Sequence, residues 1–318
     1  MAEFQNTIDI LGDEVATVKY IERTLEGTFF DDVLTRVANY AFHGNSNLTD
    51  IDMPNVTIIG YTGAFSSCIN LVRVNFPSTS RLDDEVFQDC KKLKIVNAPN
   101  TTFIGRNAFY NCTSLETIDL PLVKETEGSC FYNCYSLKTV SLPLVERMTS
   151  SQNFYQCKKL ESVSFPLLLN ANTASFWGCT SLVSANLPSV EMLKTQTFKG
   201  CSKLSSVNIS SAQIIQSQAF GDCVALEFLD LPIVDSIEQG AFWGCGALKT
   251  LVLRRSDGIC TLIGTNAFNG TPFAEGGTGG TVYVWQEFIE QYQNATNWST
   301  LYAAGTCNFV AIEGSEYE

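Results

Sequence analysis

Twelve cysteines and one histidine are the residues of this 318-residue chain whose types could do the most chemistry. Cysteines in that number raise three possibilities: disulfides, a metal site, or buried free thiols. The lone His43 removes most zinc, haem, Ser–His and Cys–His chemistry, because each of these draws on imidazole. Thiolate-only zinc sites use closely spaced cysteine pairs. Cys130 and Cys134 come nearest to that spacing.

The spacing of the other cysteines points elsewhere. Nine stand at 68, 90, 112, 134, 157, 179, 201, 223 and 245, with gaps of 22 residues and a single gap of 23. A phenylalanine stands three residues before each, from Phe65 to Phe242, and a leucine three residues after, from Leu71 to Leu248. Phe42 with Leu48 adds a unit upstream, and Phe268 opens a partial one downstream. A period in this range is the signature of a solenoid, and it overrides a two-domain reading of the length.

Residues 109–131 (FYNCTSLETIDLPLVKETEGSCF) give the unit in full. Ile118 and Leu120 alternate with polar Thr117 and Asp119, so a short strand with one buried face follows Leu115. Pro121 has no amide donor and ends it; eight of the nine prolines hold this place. Five residues on comes a second, often apolar position: Ile59, Leu82, Ile104, Met148, Leu193, Ile215 and Ile237, with Thr126 the departure. Two residues after the Phe, nine of eleven units carry Gly, Asn or Asp, which tolerate a left-handed turn. Each unit therefore offers one strand, one turn and a return arm. Stacking such units places the cysteines in one column, where they cannot all pair and where disulfide torsions fit poorly. Buried thiols acting as small apolar residues are the favoured reading. No cofactor, metal or catalytic residue is expected. The adjacent carboxylates Asp31–Asp32 and Asp83–Asp84 are read as solvated turn residues.

The unit A-F-x-x-C-x-x-L-x-x-V-x-L-P resembles the BspA-like, or Treponema pallidum-type, leucine-rich repeat found in gut bacteria and their prophages, over about residues 33–270. The tail TVYVWQEFIEQYQNATNWSTLY (281–302) resembles the closing segment of many members. The resemblance implies a leucine-rich-repeat solenoid: a right-handed coil of about ten 22-residue repeats with parallel β-sheet, an N-terminal β cap and a C-terminal strand-helix cap. It also implies a non-enzymatic scaffold for adhesion, or for protein or glycan recognition, at a cell surface. A structural or receptor-binding component of a phage-like particle is the alternative. The expected division is a segment and cap over 1–32, repeats over 33–275 and a cap over 276–318. Within that last part, Gly276–Gly280 is read as a flexible connector. Trp285, Phe288, Ile289 and Tyr292 are read as one amphipathic helix.

Charge narrows the partners. Charged residues make up 17% of the chain and the net charge is −13, which argues against nucleic acid and anionic membranes. No apolar run of 18 residues is present, so no membrane insertion is expected. Residues 1–27 lack a basic head followed by an apolar core. If Met1 is native, this favours a cytoplasmic or particle-associated protein; the resemblance favours a secreted or surface one. The partner expected is a protein or glycan on another surface, with the oligomeric state open.

Two faces could make contact. The position after the repeat Phe holds Tyr110, Tyr132, Tyr155 and Trp177 in consecutive units, and Trp243 further on. Such an aromatic stripe suits sugar faces or protein hot spots, or else shields the core over the turn. On the strand face, the middle outward column (Asp52, Asn75, Asn97, Asp119, Ser141, Ser164, Asn186, Asn208, Asp230, Val252) is expected to hydrogen-bond along the stack. Beside it, Lys94, Glu116, Lys138 and Glu161 alternate in sign. Arg73, Ile95 and Phe228 break the pattern and are the candidates for contact there.

Overall fold

The computed structural model describes residues 27–318. The readings placed on residues 1–26, including the first part of the expected N-terminal cap, lie outside the described residues. The chain divides into two compact units, Met1–Leu160 and Glu161–Glu318.

In the first unit, the strands Gly27–Phe30, Leu48–Asp52, Arg73–Asn75 and Ile95–Asn97 form one parallel sheet. Thr117–Asp119 pairs with Thr139–Ser141 in the same sense. The register advances by one repeat per strand, Ile118 facing Val140. The ladder continues one bond beyond the strand, as Leu120 N–H donates to Ser141 O at 3.1 Å. The next residue is Pro121, with no N–H to give. The return arm is not plain coil. It holds a second, two-residue strand, and Arg81–Leu82, Phe103–Ile104, Glu125–Thr126 and Arg147–Met148 make a second parallel sheet.

The turn carries a third ladder. The N–H groups of Asn107, Phe109 and Asn111 donate to the carbonyls of Gly128, Cys130 and Tyr132 in the next coil, at 3.1, 2.8 and 2.8 Å. Alternate N–H groups point along the stack because the backbone is left-handed on both sides of the Phe. Asn111 has φ +59° and Asn107 has φ +56°. The position two residues after the Phe was legible as Gly, Asn or Asp, and it is left-handed in all eleven turns, Ser67 and Gln156 included. Two residues before the Phe, Tyr40, Glu85, Ser129, Ala174 and Gln196 also have positive φ, and glycine marks that place only at Gly63 and Gly240.

Inside the first unit, Phe42, Phe65, Phe87, Phe109, Phe131 and Phe154 are fully buried. Their rings stack, with Phe109 and Phe131 5.2 Å apart and 4° from parallel. Phe29, on the first strand, closes the column against Phe42 at 5.4 Å. All twelve cysteines of the chain are buried and free. They do more than fill space. Cys112 Sγ lies 3.1 Å from Phe87 O, which also accepts from Cys90 N–H. Cys90 and Cys134 repeat the contact at Phe65 O and Phe109 O. Each thiol thus meets the second lone pair of a buried carbonyl. Burial pushes these thiols well above their ordinary range.

Thr126 also finds its reason. Its hydroxyl donates to Asn153 Oδ1 at 2.9 Å, and Cys130 Sγ approaches the same oxygen at 3.0 Å. Asn153 Nδ2 donates to Ser150 O. Three departures from the apolar pattern, at 126, 130 and 153, form one satisfied buried group.

The second unit repeats this plan. Ser162–Ser164, Ser184–Asn186 and Ser206–Asn208 form one sheet, and Asn170–Ala171 to Thr261–Leu262 the five-stranded second sheet. Phe228–Leu231, Thr250–Leu253, Gly280–Val284 and Cys307–Ala311 form a further parallel sheet. The closing segment therefore ends in a strand beyond its helices. The expected single helix is shorter: Gln286–Phe288 is a 3-10 turn, Ile289–Asn294 an α-helix, and Trp298–Ala303 a second one. Trp285 is extended before them, and its Nε1–H donates to Arg254 O at 2.8 Å. Trp298 is fully buried against Phe268, 5.9 Å away, and ends that unit's phenylalanine column. Gly280 is no flexible link. A Cβ there would come within 2.3 Å of the Phe273 ring, so glycine is required for close packing.

Candidate functional site

The position after the repeat Phe points away from the core, and its side chains meet one coil apart. In the first unit the column runs His43, Ser66, Gln88, Tyr110, Tyr132, Tyr155. The three tyrosines form a stack. Tyr110 and Tyr132 are 4.8 Å apart at 12°, and Tyr132 and Tyr155 are 4.5 Å apart at 5°. All three are half-buried. Both faces of Tyr132 are covered by its neighbours, so its edge and hydroxyl are what it can offer. Its phenol is held above the usual range, first by burial and then by Tyr155 and Tyr110.

Beside the stack runs a hydrogen-bonded amide ladder. Asn133 Nδ2 donates to Asn111 Oδ1 at 2.9 Å, and Asn111 Nδ2 to Asp89 Oδ1 at 3.0 Å. The rings are thus mounted on turns whose backbone and side chains both bond along the stack. The same column explains the one serine–histidine contact of the chain's only histidine. His43 Nδ1 meets Ser66 Oγ one coil on, and Ser66 Oγ also lies 3.1 Å from Gly63 O.

In the second unit, Trp177 is half-buried with Lys199 Nζ 5.0 Å from its ring centre, a cation–π contact. Trp243 is 49% exposed. The coils before and after it offer Gly221 and Asn269 at the matching place, so no ring neighbour is available.

On the strand face of the first unit, Asn75 and Asn97 bond along the stack, to Asp52 and Asn75, at 2.6 and 2.5 Å. In the second unit Asn186 and Asn208 do the same, to Ser164 and Asn186. Arg73 pairs with Asp50 at 3.0 Å, and Lys138 with Glu116 at 2.8 Å. That lysine holds the Glu116 carboxyl below its usual range. Ile95 is 54% exposed. Phe228 stays partly open, with the Tyr317 ring stacked on it at 5.4 Å and 17°. Val252, read as outward and exposed, is fully buried.

Of the paired carboxylates, Asp32 is exposed, Asp84 is half-buried, and Asp31 and Asp83 are buried. Asp31 Oδ1 accepts from the N–H groups of Val33 and Leu34 at 2.9 and 2.8 Å. Asp83 is buried against Arg81 at 2.8 Å. Asp84 accepts from Arg106 N–H at 2.9 Å. These are structural turn and charge pairs. Among the described residues, no three His, Cys, Asp or Glu side chains converge as a metal site, and no helix is long and apolar enough to cross a membrane.

Comparison with known proteins follows the same lines. The family described as "BspA type Leucine rich repeat region" matches residues 20–122, 82–204 and 170–283, in six copies. No curated protein matches the chain. Among solved structures, it is similar to a leucine rich cell surface protein of Faecalibacterium prausnitzii, with 20% identity, 77% of this chain and 76% of that one covered, and a TM-score of 0.45. It is similar to a leucine-rich repeat protein of Bacteroides ovatus, with 22% identity, 88% of each chain and a TM-score of 0.39. A leucine rich repeat protein of T. pallidum shares 23% identity over 62% of this chain and 88% of that one, with a TM-score of 0.44. With repeat, register and family match in agreement, the chain belongs to the BspA-type leucine-rich repeat family.

Proposed function

We propose that this chain is a non-enzymatic binding scaffold that recognises a protein partner at a surface, with the tyrosine column of the first unit as its contact. The observation that carries the reading is the stacking of Tyr110, Tyr132 and Tyr155. A platform for a sugar face needs an open ring face, and Tyr132 has none. Stacked tyrosines with their edges and hydroxyls outward suit a protein surface instead, because they give large, rigid, amphipathic contact at little entropy cost. The column is already ordered by its turn ladders, so binding need not order it. Adhesion is the biological use this arrangement would serve, as the surface assignment of the Faecalibacterium relative accords with.

The test is a binding screen of the whole chain against host-surface proteins and glycans, repeated with Tyr110, Tyr132 and Tyr155 all changed to Ala. Binding to a protein partner that falls at least tenfold in the folded triple variant supports the reading. Glycan binding, or protein binding that the variant keeps, overturns the assignment of the contact to this column.

A further inference from the structure

A second surface lies in the second unit, and the chain itself covers it. Val252 occupies an outward strand position, between Asp230 and Tyr283 in register, yet its exposure is zero. The segment Gly314–Glu318 reaches the two strands on either side of Val252, Phe228–Leu231 and Gly280–Val284. Tyr317 stacks on Phe228 on one side and meets Tyr283 edge-on at 4.6 Å on the other. Arg254 Nη1 donates to the Tyr317 carbonyl. The same guanidinium is aimed by Asp230, whose two oxygens accept from its Nε at 3.1 and 3.0 Å. Its backbone is fixed in turn by Trp285.

The segment's own hydrogen bonds are local. Tyr317 N–H donates to Ser315 Oγ, and Gly314 N–H to Glu318 Oε2, both within a turn that the positive φ of Gly314 opens. It is held on the sheet by one ring slot and one guanidinium. That is how a peptide ligand is held: a pocket reads one side chain, and a fixed donor reads the main chain without regard to sequence. The segment presents Glu316 and Glu318 around its tyrosine, while Arg254 is paired with Asp230 and Arg255 with Asp235 and Asp257. Phe228 keeps 38% exposure, so the aromatic floor extends past Tyr317.

We infer that the strand face around Phe228, Val252, Arg254 and Tyr283 is a binding surface for a short turn-forming peptide bearing a tyrosine flanked by acidic residues, and that Gly314–Glu318 occupies it in cis. The surface stands independently of the tyrosine column in the first unit. A tethered ligand acts at an effective concentration on the order of millimolar. A free peptide therefore competes poorly with it until the segment is removed or its tyrosine is lost.

The experiment uses the chain ended after Glu313 and, separately, the full chain with Tyr317→Ser. The probe is the labelled peptide Gly-Ser-Glu-Tyr-Glu, read by fluorescence anisotropy, with a Gly-Ser-Glu-Ala-Glu control. Both variants are expected to bind the tyrosine peptide at least tenfold more tightly than the full chain does, and to bind the control at least tenfold more weakly. Failure of both folded variants to bind at millimolar peptide overturns the proposal. So does loss of cooperative unfolding in both, which would make the segment part of the fold. Self-association of the full chain that the shortened chain lacks would place the segment on a second copy, and would overturn the assignment in cis.

Discussion

The first unit contains two columns of stacked rings one residue apart in sequence, and they have different duties. Phe109 and Phe131 are 5.2 Å apart and nearly parallel; Tyr132 and Tyr155 are 4.5 Å apart and nearly parallel. The phenylalanines are fully buried and bear on thiols whose hydrogens reach the carbonyls of the column itself. The tyrosines are half-buried and bear on solvent. Stacking alone therefore does not tell structure from function in a repeat. What tells them apart is which side of the turn backbone a ring stands on, and whether every coil must supply one. The Phe place is filled in every unit, whereas the place after it holds His, Ser, Gln, Tyr, Trp, Lys, Gly and Asn.

The largest effect that can sharpen this contrast comes from the thiols beneath the buried column. Five of them, together with Cys130, Cys260 and Cys307 outside the column, are held above the ordinary thiol value of 9.0 by burial, Cys260 and Cys307 up to about 12. In the unfolded chain they ionise near that ordinary value. Their contribution is thus complete below pH 8 and is lost as pH rises from about 9 toward the folded values, at up to about 1.4 kcal/mol per unit for each thiol. Urea midpoints followed over pH are expected to stay level to about 8 and to collapse between about 9 and 11. A level midpoint at pH 11 would mean that the thiols ionise in place.

Next in size, Phe131→Ala should cost about 3–5 kcal/mol, because both stacked neighbours lose a buried ring and a cavity remains. Chemical denaturation checks this, and a loss under about 1 kcal/mol would break the distinction between the columns. Asn153→Ala should cost about 2–3 kcal/mol by leaving the Thr126 hydroxyl and Cys130 thiol without their acceptor. Adding Thr126→Val to it should recover part of the loss. At the smallest end, Ser67→Gly should stabilise by about 0.5 kcal/mol. Its φ of +61° carries a left-handed cost that glycine escapes, offset by glycine's greater freedom when unfolded.

The contrast also separates what could be read from the residues from what could not. Phe, Cys, Leu and Pro at fixed offsets gave the coil, its parallel strand and the left-handed turn after the Phe, because each answers a demand that every coil repeats. The left-handed position two residues before the Phe was hidden: its residues range from Tyr40 to Ala174, and the demand is met by backbone bonds rather than by residue type. The second strand was too short, at two residues, to show alternation. The Thr126–Cys130–Asn153 group and the seating of Tyr317 on Phe228 join residues from different coils, which a reading along one unit does not place together. For the candidate site, the aromatic stripe was legible as a column. That Tyr132 has both faces covered depends on ring angles, and no spacing conveys those.

The most direct test of the central claim, that the buried column holds the fold while the tyrosine column stands outside it, is one comparison of unfolding free energies. The triple variant Tyr110→Ala, Tyr132→Ala, Tyr155→Ala is set against the single variant Phe131→Ala in urea at pH 7. Stacking of these half-buried rings contributes about 0.5–1.5 kcal/mol per pair beyond the area they bury, so three lost tyrosines are expected to cost less than one lost phenylalanine. A triple variant less stable than Phe131→Ala would contradict the account, and would make the tyrosines part of the core's support.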